Sequence, residues 1–210
     1  MFRDRFDAGR LLAATLQEYR GRPDTVVLAL PRGGVPVAYA VATELHLPLD
    51  IFAVRKLGVP GQEELAMGAI ASGDVRVLNP DIIEAIGLTT SEMETVTAHE
   101  KAELERREAL YRGGRPAADV RGKTVILIDD GLATGASMRV AITALRLKYP
   151  GQIIVAVPVA PSSTCRELRQ IADQVICAEM PDPFYAVGQA YKKFEQVSDD
   201  EVKHLLETVI

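Results

Sequence analysis

The chain has 210 residues, 48% of them hydrophobic and 25% charged, with a formal net charge of −5. A chain of this size and make-up can bury roughly 70% of its unfolded surface, enough for a real core. The acidic balance argues against a nucleic-acid partner, which needs a basic face, and no apolar run reaches membrane-spanning length.

Taken in order, Arg3–Tyr19 carries Phe6, Leu11, Leu12 and Leu16 at near-helical spacing, which predicts an amphipathic first helix. Gly21, Arg22 and Pro23 end it, and Thr25–Leu30 reads as a buried strand. Pro31-Arg32-Gly33-Gly34 follows, then a helix with Pro36 in its first turn and Val37, Ala38, Val41, Ala42 and Leu45 as its apolar positions. Arg32 offers a fork suited to phosphate oxygens, and Gly33 and Gly34 permit close backbone approach to an anion.

Leu49–Val54 reads as a third strand with Arg55 and Lys56 at its carboxyl end, either facing the same rim or as solvated surface cations. The stretch after Lys56, with Gly58, Pro60, Gly61 and the polar run Gln62, Glu63 and Glu64, predicts a mobile loop. Met67–Ala71 and Val75–Leu78 flank Ser72-Gly73-Asp74 as a hairpin. A short helix is expected over Asp81–Ile86, ended by Gly87, and a long one over Ser91–Tyr111. Ser91 and Glu94 are its expected capping box, with Glu103–Arg107 and Glu108–Arg112 as spaced ion pairs. Such a charge-rich helix reads as a solvated face, with a lid or dimer arm as the other reading.

Val125–Ser137, VILIDDGLATGAS, is the most informative stretch. Its apolar run predicts a strand buried on both faces, with Asp129 and Asp130 at the carboxyl end, where open α/β sheets bind ligands. Gly131–Ser137 can turn N–H groups and hydroxyls toward an anion, and the following helix adds its positive dipole end. The spacing fits neither a P-loop, a dinucleotide fingerprint nor a nucleophile elbow. Ala136–Lys148 continues as a helix with Met138, Ile142 and Leu145 on one face. Ile153–Pro158, Ser162–Ala172 and Gln174–Ala178 then read as strand, helix and strand. The alternation implies a parallel sheet of about five strands flanked by helices. Glu179–Phe194 breaks it with turn residues and aromatics, and Ser198 and Glu201 cap a terminal helix carrying Val202, Leu205, Leu206 and Val209. Cys165 and Cys177 lack metal-type spacing and read as small core residues; His46, His99 and His204 are scattered. The N-terminus has no signal-like apolar core, so a cytoplasmic protein is the simplest expectation.

The acid pair followed by the small or apolar Gly131, Leu132 and Ala133 and then Thr-Gly-Ala-Ser resembles the signature of the type I phosphoribosyltransferases, which bind phosphoribosyl pyrophosphate (PRPP). The resemblance implies one α/β domain over 1–210. Its core would span about 24–178 with a helical insertion at about 80–115, followed by a C-terminal hood and helix over about 179–210. It implies that Asp129 and Asp130 are the catalytic acids on the ribose hydroxyls, and that Ala133, Thr134, Gly135, Ala136 and Ser137 hold the 5-phosphate. Pyrophosphate would meet Arg32, Gly33, Gly34 and Lys56, in a loop that in this family often contains a cis peptide before its basic or polar residue. Mg²⁺ would bridge ribose hydroxyls and pyrophosphate, with Asp129 and Asp130 as further candidate ligands. The 57–64 loop would close over the ribose.

EMPDPFYAVGQAYKKF resembles the hood of the hypoxanthine-guanine phosphoribosyltransferases, with Phe184, Tyr185 and Val187 as base contacts. Lys192 departs from that pattern, standing where those enzymes carry an Asp. Packing of the aromatics under a loop is the other reading. The implied reaction is phosphoribosyl transfer to a small nitrogenous base with release of pyrophosphate. A non-catalytic PRPP or nucleotide sensor is the alternative, and a homodimer is left open.

Overall fold

The computed structural model describes residues 1–209. The chain opens with α1 (Arg5–Ala14), β1 (Thr25–Ala29), α2 (Gly34–Leu45) and β2 (Leu49–Ile51). A meander of β3 (Val54–Val59), β4 (Gln62–Ala71) and β5 (Val75–Leu78) follows, and then α3 (Pro80–Ile86) and α4 (Thr90–Arg112). The remainder is β6 (Thr124–Ile128), α5 (Ala136–Arg146), β7 (Gln152–Val159), α6 (Ser162–Leu168), β8 (Gln174–Glu179) and α7 (Asp199–Thr208).

Five strands form a parallel sheet in the order β2-β1-β6-β7-β8. Its central strands β1, β6 and β7 are almost wholly apolar because each face has its own core, and the period of two divides them. Val27, Ala29, Ile126, Ile128, Ile154 and Ala156 pack beneath α1, α2 and α7. Val26, Leu28, Val125, Leu127, Ile153 and Val155 pack beneath α5 and α6. The predicted helix positions Met138, Ile142 and Leu145 are buried, as are Val202, Leu205 and Leu206. Leu11 departs from expectation at 54% exposed, because α1 ends at Ala14 and turns its buried stripe toward Leu12 and Ala13.

The predicted third strand stops early. Beyond Ile51 the Ala53 N–H donates to Ser72 Oγ at 2.7 Å, and Ala53 O accepts from Ser72 N at 2.9 Å. That exchange draws the chain out of the parallel sheet and into the antiparallel β3-β4-β5 sheet. Arg55 and Lys56 therefore lie within β3, not at the end of a parallel strand. The stretch expected as a mobile loop is a hairpin: Val59 pairs with Gln62 across Pro60-Gly61, an order that a type II turn favours. The hairpin expected across Ser72–Asp74 is present as β4 and β5.

The long helix begins one residue earlier than expected, and its capping box is Thr89 with Glu92, not Ser91 with Glu94. Glu94 pairs instead with Arg76 at 2.9 Å. Both spaced ion pairs of α4 form. The helix is mostly exposed, yet Leu104, Met93 and Val96 roof the apolar face of the antiparallel sheet against Leu57, Val59, Met67 and Ile70.

The end of α4 is pinned by a buried charge. Arg112 donates through Nε to Asp50 at 2.9 Å, through Nη1 to Glu108 at 2.8 Å and through Nη2 to Ile51 O at 3.0 Å. Asp50 also accepts from the Ala118 and Ile51 N–H groups. Removing one partner of such a pair strands the other charge in the interior. Asp50→Ala is expected to cost about 3–5 kcal/mol. Urea unfolding followed by circular dichroism reads it, and a loss under about 1 kcal/mol would mean the pair behaves as a surface bridge.

Candidate active site

The carboxyl ends of β1, β6 and β7 meet at one rim. From β1, residues 31–34 turn sharply, with a cis peptide between Pro31 and Arg32 as the resemblance implied. The turn closes through Gly34 N to Leu30 O at 3.1 Å and leads straight into α2. A Cβ on Gly33 would stand 2.2 Å from Asp130 Oδ2, so only glycine lets the two loops come this close.

From β6 come the paired acids, both half-buried. Asp129 Oδ1 accepts the Asp130 N–H at 2.9 Å, and Asp130 Oδ2 accepts from Arg5 Nε at 2.8 Å. Burial and the neighbouring Asp130 charge push the Asp129 carboxyl well above the usual range. Burial raises Asp130 too, opposed by the Arg5 guanidinium. The turn beyond is fixed from behind, by Leu132 N to Val159 O at 2.9 Å and by Thr164 Oγ1 to Ala133 O at 2.7 Å. Ala133, Thr134, Ala136 and Ser137 are exposed, while Gly135, at φ 70°, is buried and starts α5. Gly135 offers no side-chain cap to α5; the Thr134 hydroxyl accepts the Ala136 N–H at 3.4 Å, and the positive end of the helix lies open beside it.

The structure thus brings Asp129, Asp130, Arg32, Gly33, Gly34 and Ala133–Ser137 to one rim. Arg32 is half-buried there, with Nη1 3.6 Å from Asp199 Oδ1 at the start of α7. Asp199 also accepts from the buried Tyr111 hydroxyl at 2.6 Å. Lys56 stands apart. It pairs with Glu64 at 3.3 Å and lines a cavity of about 700 Å³ shared with Thr95, Val96 and His99 of α4.

The C-terminal hood is short and mostly irregular, with a cis Asp182–Pro183 bond and a single 3-10 turn over Val187–Ala190. A methyl of Val187 lies 2.6 Å from where a Cβ on Gly131 would begin, so the hood seats directly against the acid loop. Phe184 packs in a small cluster with Phe2, Val159 and Tyr191, while Tyr185 is 74% exposed. Both line a cavity of about 190 Å³ with Val159, Glu179, Pro181 and Gln189.

Sequence reasoning missed the N-terminal half of the hood. Phe2 bridges Tyr191 as a short parallel pairing, with Phe2 N to Ala190 O at 2.8 Å and Lys192 N to Phe2 O at 2.9 Å. Arg5 reaches Asp130 and also donates to Glu195 O at 2.8 Å, with its guanidinium 3.9 Å above the Phe194 ring. Phe194 stacks on Tyr191 at 4.9 Å, and the Tyr191 hydroxyl donates to Asp130 O. The local sequence gives little signal, because Arg5 stands among the other charged residues Arg3, Asp4, Asp7 and Arg10 at the start of α1.

A parallel sheet flanked by helices, with paired acids and a glycine-bearing turn at one strand end, defines an α/β domain with a candidate ligand site at its carboxyl rim. Residues 4–192 match the family model described as the phosphoribosyl transferase domain, and the chain belongs to that family. It is 41% identical to TT1426 from Thermus thermophilus, covering 99% of this chain and 98% of that one, with a TM-score of 0.86. It is 44% identical over 207 residues to the Mycobacterium tuberculosis H37Rv protein named "Putative phosphoribosyl transferase Rv0571c", covering 99% of this chain. The chain spans about half the length of the curated relatives it matches, 46% of that one. A hypoxanthine-guanine phosphoribosyltransferase from Bacillus anthracis shares the fold at 12% identity and a TM-score of 0.50, over 85% of this chain and 80% of that one.

The raised Asp129 carboxyl has a consequence for stability. Its folded value lies above the unfolded one, so ionisation opposes folding at neutral pH and the penalty fades as pH falls. Asp129→Asn should therefore raise the thermal midpoint at pH 7 by about 2 °C or more, the shift that roughly 1 kcal/mol gives a chain of this size. The gain should vanish below the ordinary carboxyl range. Scanning calorimetry at both pH values tests it, and a lowered midpoint at pH 7 would contradict it.

Proposed function

We propose that this chain transfers the 5-phosphoribosyl group of PRPP to a nitrogenous base and releases pyrophosphate. The observation that carries the reading is the direct succession of two half-buried acids and an uncapped anion turn at one strand end. In it, Asp129 and Asp130 accept hydrogen bonds from the ribose hydroxyls. The N–H groups and hydroxyls of Ala133–Ser137 hold the 5-phosphate at the positive end of α5. Arg32, with the close-lying Gly33 and Gly34, receives the pyrophosphate. Lys56 and the β3–β4 hairpin belong to the cover that keeps water from the reacting carbon. Phe184, Tyr185 and Val187 are the hood's candidates for the base.

The family implies Mg²⁺. Asp130 already gives one oxygen to Arg5, whereas Asp129 has no cationic side-chain partner and would be the residue to hold the ion. No group of three His, Cys, Asp or Glu side chains suited to a metal occurs among the described residues, so most of its ligands would come from the substrate. When bound, the ion would neutralise charge on the leaving pyrophosphate. The protein's share is positioning and electrostatic stabilisation, with no covalent nucleophile.

Pyrophosphate release with PRPP, Mg²⁺ and a panel of purines and pyrimidines is the direct test, with turnover expected for at least one acceptor. PRPP binding without turnover for any base would favour a sensor, and no PRPP binding would refute the reading. Arg32→Ala is expected to weaken PRPP by about tenfold, one charge-assisted contact, while leaving ribose 5-phosphate nearly unchanged. Equal losses for both ligands would remove Arg32 from the pyrophosphate site.

A further inference from the structure

Asp129 and Asp130 are adjacent in sequence but held differently. Asp129 leans on a backbone N–H alone, while Asp130 is braced from the front of the chain and from the hood. The Arg5–Asp130 pair is nearly closed off, with side chains 11% and 14% exposed, and its contact is short at 2.8 Å. Arg5 is itself fixed at three points: by Asp130 through Nε, by Glu195 O through Nη1, and by the face of Phe194. Phe194 and Tyr191 stack behind it, and the Tyr191 hydroxyl returns to the Asp130 carbonyl. An arginine committed at Nε and Nη1 to protein acceptors is poorly placed to clamp a phosphate with two parallel bonds. Its geometry serves the carboxylate instead.

We propose that Arg5 is a positioning residue of the ribose subsite, holding Asp130 Oδ2 so that Oδ1 is aimed at a ribose hydroxyl before the ligand arrives. This rests on the phosphoribosyl reading of the site. The two acids then divide the work. Asp130, neutralised and fixed by Arg5, is a hydrogen-bond acceptor only, and Asp129 is the acid open to a metal. A carboxylate free to rotate about its two side-chain bonds would have to be ordered by the ligand, at a cost in affinity. Arg5 and its aromatic backing remove that cost.

The test is calorimetric, on the full chain, with PRPP and Mg²⁺, ribose 5-phosphate and inorganic pyrophosphate as ligands. Arg5→Met is expected to weaken PRPP and ribose 5-phosphate by about tenfold and to leave pyrophosphate within about twofold. Arg5→Lys, which keeps the charge and loses the fork, should recover part of the loss. In an Asp130→Asn background, Arg5→Met should cost less than about twofold more, because its partner is already gone. Equal loss for all three ligands, or losses that simply add in the double variant, would overturn the proposal. Should Arg5→Met not fold, Phe194→Leu is read in the same way. A smaller loss confined to the ribose-bearing ligands supports the brace, and no loss or an unselective one refutes it. If the wild-type chain binds neither PRPP nor ribose 5-phosphate, the phosphoribosyl reading falls and this proposal with it. If it binds them without the selective loss, only the proposal falls.

Discussion

The constraint on which the structure turns is the placement of two neighbouring carboxylates at the end of a strand with no solvent on either face. Ile128 is locked between Ala29 of β1 and Ala156 of β7, so Asp129 and Asp130 cannot withdraw toward water without breaking the sheet. Their charges repel and their burial is costly. Much of the surrounding architecture reads as relief for that cost. A backbone N–H serves Asp129, a guanidinium serves Asp130, and the loop after β1 brings a glycine close enough to touch. What is left uncompensated is the Asp129 carboxylate, which has no cationic side-chain partner.

The helix starts carry a second sign of the same bias. α1, α3, α4 and α7 each begin with a side chain that accepts a first-turn N–H: Asp4, Asn79, Thr89 and Ser198. α2, α5 and α6 have no such cap, and all three begin where β1, β6 and β7 end. A cap contributes about 1 kcal/mol to a helix. Among the described α-helices such a cap is absent only at the rim, where the Leu30 and Arg32 carbonyls take the first two N–H groups of α2 and the Thr134 hydroxyl takes the first of α5.

The parallel sheet was legible because burial on both faces writes itself as uninterrupted Val, Ile and Leu, and the helices between because their apolar spacing and breakers are local. The acid–turn motif was legible for the same reason: thirteen consecutive residues hold the strand, the acids and the anion loop. What escaped was decided at a distance. Nothing near Val54 announces that Ser72 will capture Ala53 and draw β3 into a second sheet. The polar residues 62–64 read as loop because an exposed hairpin edge has no apolar alternation to show. The choice of Thr89 over Ser91 as cap is a two-residue shift between equivalent local signals. Nothing local marks Arg5 or Tyr191, since their partner, Asp130, lies far along the chain.

The hood joins the two ends of the described chain. Arg5 and Glu195, bonded to each other, stand 190 positions apart, and Phe2 pairs with Tyr191. Contacts of such separation carry the greatest loop-closure entropy, and they form after the local ones have made closure cheap. The parallel sheet is complete by Glu179, before any of these contacts can exist. During synthesis the sheet can therefore assemble while the acid pair is still unbraced, and Tyr191, Phe194 and Glu195, which follow it in the chain, complete the pair's environment. The acid pair is thus set in place by the sheet first and braced only afterwards.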